Sequence, residues 1–74
     1  MSDYQVIAIN LAKVEEVLHK EWPEEPGYSI MRELIGTKDN PPKSCYGDAF
    51  VIRDVLIENG CRWGIDFYIK KLKE

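Results

Sequence analysis

Apolar residues at the start of the chain fall on a helical stripe. Tyr4, Ile7, Leu11, Val14 and Leu18 alternate between three- and four-residue spacings, and Trp22 stands one turn further on. A continuous helix, with Ser2 and Gln5 as a capping box, would leave Val6, Ile9 and Val17 off that stripe. Breaking the segment at Asn10, a residue type that caps helices, removes the conflict. The pattern then reads as a strand over 4–9 and a helix over 11–22 that keeps Leu11, Val14, Leu18 and Trp22 on one side.

Pro23-Glu24-Glu25-Pro26-Gly27 ends that helix, because proline lacks the amide donor and restricts its predecessor. Residues 28–35 suit a short helix closed by Gly36. The stretch 36–44 is rich in Pro, Asn, Asp and Lys and reads as an irregular loop with an exposed tip. A further helix is predicted over 48–59, with Asp48 as N-cap and Asn59-Gly60 as the stop. Seven apolar residues between Ala49 and Ile57 leave a narrow polar strip at Arg53, Asp54 and Glu58, so this helix is expected at the centre of the core, buried on most sides.

The last segment decides the fold class. Cys61, Trp63, Ile65, Phe67 and Ile69 alternate with Arg62, Gly64, Asp66, Tyr68 and Lys70, which predicts a half-buried strand over 61–70. A strand needs a neighbour, and residues 4–9 supply one. The expected architecture is therefore α+β: a terminal strand pair covered by about three helices. The alternative is all-α, with four short helices, since Ile65, Tyr68, Ile69 and Leu72 also fit a helical face.

At 74 residues the chain is read as one domain, 1–74, without internal repeats. Its formal charge is −3, and the charge is uneven: residues 1–37 carry −4 and residues 38–74 carry +1, with a basic end at Lys70, Lys71 and Lys73. A basic stripe for bulk nucleic-acid binding is absent. Two cysteines do not make a disulfide framework, no apolar run approaches the roughly 18 residues of a membrane span, and the start lacks the basic and apolar regions of a secretory signal. A reducing, cytoplasmic setting is expected.

Candidate chemistry is thin. His19 is the one histidine, expected on the polar side of its helix beside Lys20 and Glu16. With Cys45 and Cys61 it offers three zinc-type ligands at most and no Cys-x-x-Cys pair, so neither a metal nor a cofactor is predicted. Cys45, in a polar loop before a helix start, is expected to be the accessible and more reactive thiol, while Cys61 points inward. The five glycines stand singly and form no phosphate loop. A cysteine enzyme built on Cys45 and His19 ranks last among the functional readings.

What remains is surface. Glu15, Glu16, Glu21, Glu24 and Glu25 lie close together in sequence, and Trp22 and Tyr28 flank the proline turn. Aromatics rimmed by one sign of charge suit protein recognition. The sequence thus points to a non-enzymatic protein-binding module, a small acidic regulator or inhibitor docking on a larger protein through Glu15, Glu21, Trp22, Glu24, Glu25 and Tyr28. A nucleic-acid enzyme is one partner of that kind, and small acidic phage or mobile-element proteins share this general look. The alternative is a DNA-binding transcriptional regulator, with 48–59 and 63–73 as a helix-turn-helix-like pair. A homodimer through a strand edge or an apolar patch fits either reading.

Overall fold

The computed structural model describes residues 3–72, so Ser2 as a cap and Lys73 in the basic end lie outside the described residues. The chain runs β1 (Tyr4–Ala8), α1 (Leu11–Glu21), α2 (Gly27–Glu33), β2 (Ile35–Gly36), α3 (Asp48–Glu58) and β3 (Phe67–Lys71). The fold is α+β, three helices with a three-stranded mixed sheet in the order β2-β1-β3. The chain breaks at Asn10, whose side chain accepts from the Lys13 amide at 3.3 Å and opens α1.

β1 is central because both its edges are used. β3 pairs antiparallel to it from Tyr4↔Lys71 to Ala8↔Phe67, which sets the two terminal segments side by side. β2 pairs parallel through Val6↔Ile35 and Ile7↔Gly36. Ile35-Gly36 is thus a short third strand and not the end of the preceding helix, which stops at Glu33. Gly36 is there for space: a Cβ would sit 2.5 Å from the Asn40 carbonyl and 2.6 Å from the Pro42 nitrogen, both backbone. The 37–44 loop folds back this closely onto the strand, and the Gln5 side chain fastens it by donating to the Pro42 carbonyl at 3.0 Å.

The core forms where the helices meet one face of the sheet. Val6, Val14, Leu18, Ile52, Leu56 and Phe67 are fully buried there. Each such side chain contributes on the order of 2 kcal/mol relative to exposure. The third helix differs from expectation. Only Ala49, Ile52 and Leu56 of α3 are buried, whereas Val51 and Ile57 face water and Phe50, partly exposed, packs edge-on against Tyr4 with ring centroids 4.9 Å apart. A small domain has one layer for this helix to cover, so its opposite side finds little beyond the edge of Tyr4 to pack against. Gly47, not Asp48, takes the N-cap position; Asp48 lies in the first turn, where its charge suits the helix dipole.

Candidate functional site

The end of α3 is shaped by Asn59-Gly60. The Asn59 side chain donates to the Val55 carbonyl at 2.8 Å, Gly60 takes a positive φ of 90°, and the Cys61 amide reaches back to Leu56 at 2.9 Å. From there the chain does not enter a strand at once. It makes a compact turn over 62–66: the Asp66 amide donates to the Arg62 carbonyl at 2.8 Å, and the Gly64 amide donates to the Phe67 carbonyl at 2.7 Å. Gly64 has φ +80°, a conformation glycine adopts at little cost.

Asp66 anchors the turn. It is the one buried charged residue among the described residues, 6% exposed. Its Oδ2 accepts from the Arg62 amide at 2.8 Å and from the Lys13 ammonium at 3.1 Å, and Lys13 also donates to the Gly60 carbonyl at 3.0 Å. Its main-chain carbonyl accepts from the Ile9 and Asn10 amides at 2.8 and 3.0 Å. One residue therefore ties together the end of β1, the first turn of α1 and the corner leaving α3. The Arg62 amide, then the Lys13 side chain, hold its carboxyl below the usual carboxylate range, outweighing the cost of desolvation.

The tied turn holds large apolar side chains in water. Trp63 is 51% exposed and Ile65 57%, and Ile9, bonded to Asp66 through its amide, is exposed as well. Trp63 rests one edge on buried Phe67, with ring centroids 5.6 Å apart at 70°. The five-fold alternation predicted a strand over 61–70 with Trp63 and Ile65 facing inward. The strand spans only Phe67–Lys71, and the turn resets the two-residue period, leaving Cys61 and Phe67 inside and Trp63 and Ile65 outside. Sequence reasoning missed this pair. The one available signal was Gly64 between them, a turn residue within an apparent strand.

The residues expected to bind a partner lie at the other end of α1 and take several roles. Glu15 pairs with Arg32 at 3.0 Å, and Arg32 also donates to the Ile35 carbonyl. The Glu25 carboxylate accepts from the Ser29 amide at 3.0 Å and from the Ser29 hydroxyl. Trp22 is half-buried against the core and beside Gly27. Tyr28 is half-buried and stacks on His19 at 3.8 Å. Glu16, Glu21 and Glu24 are exposed. The charged face exists, but Glu15 and Glu25 make local contacts and its aromatics turn toward the protein.

Cys45 does not sit in an open loop. It is buried, and it exchanges backbone hydrogen bonds with Tyr4 at 2.7 and 2.8 Å as an extra bridge beside β1. Burial, reinforced by Asp48, pushes its thiol up, the reverse of the lowering expected from a helix start. Cys61 is buried as predicted, and its thiol is also pushed up by burial. The helix needed over 63–73 for a helix-turn-helix is replaced by the turn and β3. Among the described residues no three His, Cys, Asp or Glu side chains gather to hold a metal, and no helix is long and apolar enough to cross a membrane.

Compared with known proteins, the chain matches no family model, no curated protein and no solved structure.

Proposed function

We propose that this chain is a non-enzymatic protein-binding module that docks on a larger protein by inserting Trp63 and Ile65 into an apolar pocket. The observation that carries the reading is the Asp66-anchored turn, which fixes a half-exposed tryptophan and an exposed isoleucine in place. Tryptophan is the residue type most enriched at the energetic centres of interfaces. A turn already held by backbone hydrogen bonds and by the Asp66 contacts loses little conformational entropy on docking, so more of the burial energy appears as affinity. Exposed apolar groups grouped in this way favour association more than isolated ones.

The acidic end of α1 plays a second part. With Glu16, Glu21 and Glu24 in solvent and a net charge of −3, the molecule is drawn toward partners with a positive field, the kind that nucleic-acid enzymes present. Steering of this sort raises the association rate, while the Trp63 turn sets the lifetime of the complex.

The test uses the intact chain as bait in a cell lysate, in parallel with Trp63→Ala and Ile65→Ser, each shown to be folded by circular dichroism. The purified captured protein is then titrated with all three. A partner whose affinity drops about thirty-fold or more with Trp63→Ala supports the reading. A partner bound equally well by Trp63→Ala overturns the turn as the docking element.

A further inference from the structure

The outward flank of α3 carries a pattern that the Trp63 turn leaves unexplained. Phe50, Arg53, Asp54 and Ile57 follow one another at i, i+3, i+4 and i+7, which sets them on one stripe of the helix, turned away from buried Ala49, Ile52 and Leu56. Phe50 is 37% exposed and Ile57 49%. Between them Arg53 and Asp54 pair, among the described residues, only with each other, at 3.1 Å, and the Arg53 guanidinium lies 5.0 Å from the centre of the Phe50 ring. The stripe reads the same in both directions. It has an apolar residue at each end, and its central positions carry opposite charges.

A two-fold axis passing between positions 53 and 54 of antiparallel helices sets Arg53 of one copy opposite Asp54 of the other, and Phe50 opposite Ile57. That is the requirement of an isologous interface, where residue i meets j and j meets i. We propose that this flank is the contact between two copies of the chain, packed as antiparallel α3 helices. In that arrangement Arg53 of each copy meets Asp54 of the other, and Phe50 covers the partner's Ile57. The stripe spans about 10 Å along the helix, and exposed Tyr46 extends its apolar end. Antiparallel helices also set their dipoles in the favourable sense.

The other route to a dimer, through the free edge of β3, is disfavoured by charge. Pairing β3 with its own copy gathers Lys70 and Lys71 of both chains along one edge, the arrangement by which sheet edges resist self-association. A second copy suits the α3 flank because Arg53 and Asp54 give it both halves of a charge pair, so the flank complements itself about a two-fold.

The experiment is sedimentation equilibrium of the intact chain from micromolar to millimolar concentration. Four variants accompany it: Arg53→Asp, Asp54→Arg, the double swap of both, and Trp63→Ala. The native chain is expected to move from monomer to dimer mass as concentration rises. Each single reversal places like charges across the axis twice and should weaken the dimer about ten-fold or more; the double swap should restore it to within about three-fold. Amide dispersion in NMR spectra confirms that each variant remains folded. A native chain that stays monomeric throughout overturns the proposal. So does a dimer indifferent to the single reversals, or a double swap no better than either single. Trp63→Ala should dimerise normally; if it does not, the contact lies at the turn and the α3 assignment is wrong. This inference stands apart from partner docking, and the two can fail separately.

Discussion

The two tryptophans stand at opposite ends of α1 and have opposite environments. Trp22 follows the last turn: its amide caps the helix on the Leu18 carbonyl at 2.8 Å, and its ring packs on the core beside Gly27. Trp63 lies near the first turn, joined to it through Lys13 and Asp66, and half of its surface is in water. The charges divide in the opposite sense. The Trp22 end is rimmed by exposed Glu21 and Glu24, whereas the charges beneath Trp63 are paired in the Lys13–Asp66 bridge. An aromatic residue beside exposed charge looks functional in sequence, yet here that aromatic lies half-buried against the core. The tryptophan backed by a neutralised, fully bonded anchor is the one presented to solvent.

Alanine at each position separates the two roles. Trp22→Ala removes a large, partly buried ring and should cost about 2 kcal/mol of stability. Trp63→Ala should cost less than about 1 kcal/mol, since much of the ring gains nothing from folding. Partner binding should rank them the other way, with Trp63→Ala losing about 2 kcal/mol or more and Trp22→Ala almost none where it is folded. Urea unfolding followed by circular dichroism, together with titration of the partner, reads both quantities. If Trp22→Ala were the milder change in stability, the contrast between core and display would collapse.

Glycine substitutions sharpen the same contrast at the level of the backbone. Gly64→Ala meets no atom within 4 Å, yet it forces a side chain into φ +80° and should cost about 1 kcal/mol. Gly47→Ala has equally open space but φ −64°, so it should be neutral or slightly stabilising. The Gly64 variant should also alter the near-ultraviolet signal of Trp63, and the Gly47 variant should not. Equal effects would mean that the turn is not held in the positive-φ conformation that favours glycine.

The Asp66 anchor has a pH dependence of fixed sign. Its carboxyl is held below the usual range in the folded chain, so the unfolded chain binds the proton more readily. The stabilisation is complete above the unfolded value and is lost as pH falls through the folded one. Acid titration should therefore loosen the Trp63 turn below the ordinary carboxylate range, seen as a change in tryptophan emission that Trp63→Phe removes. Asp66→Asn should flatten the stability profile in that same range. A profile identical to the native one would show that Asp66 is not the anchor.

How much of this was legible follows from where each signal came from. The break at Asn10 and the helices predicted over 11–22 and 48–59 rest on local caps and periodicity, and local rules decide them; the pairing of the two chain ends followed because each strand needed a neighbour. β2 was not legible, because two residues carry no periodicity and Ile35-Gly36 joins the sheet only through its tertiary partner β1. Cys45 misled for a related reason. Its polar neighbours suggest an open loop, and only the backbone pairing with Tyr4 buries it. Trp63 and Ile65 misled most. Their alternation with polar residues was real, but the chain turns on local bonds among Arg62, Gly64, Asp66 and Phe67 that alternation does not reveal, and the contacts that anchor the turn come from Lys13, Ile9 and Asn10, more than fifty residues away in sequence.

The smallest expected effect concerns the acidic end itself. Glu21 and Glu24 are exposed, so Glu21→Lys with Glu24→Lys should change stability by less than about 0.5 kcal/mol each. Glu15→Lys is the internal comparison, because it breaks the 3.0 Å pair with Arg32 and places a like charge beside it; it should cost roughly 1 kcal/mol. Glu25 is left out of the reversal, since its carboxylate holds the Ser29 amide and a change there would confuse steering with loss of a local bond. If the acidic end steers the partner, the Glu21/Glu24 double reversal should slow association several-fold at low salt and have little effect on dissociation. The difference should fade at physiological salt, where the screening length is about 8 Å. Stopped-flow association at two ionic strengths, with Trp63→Ala as the reference that speeds dissociation, measures the division directly. An association rate indifferent to the reversal would assign recognition to the Trp63 turn alone.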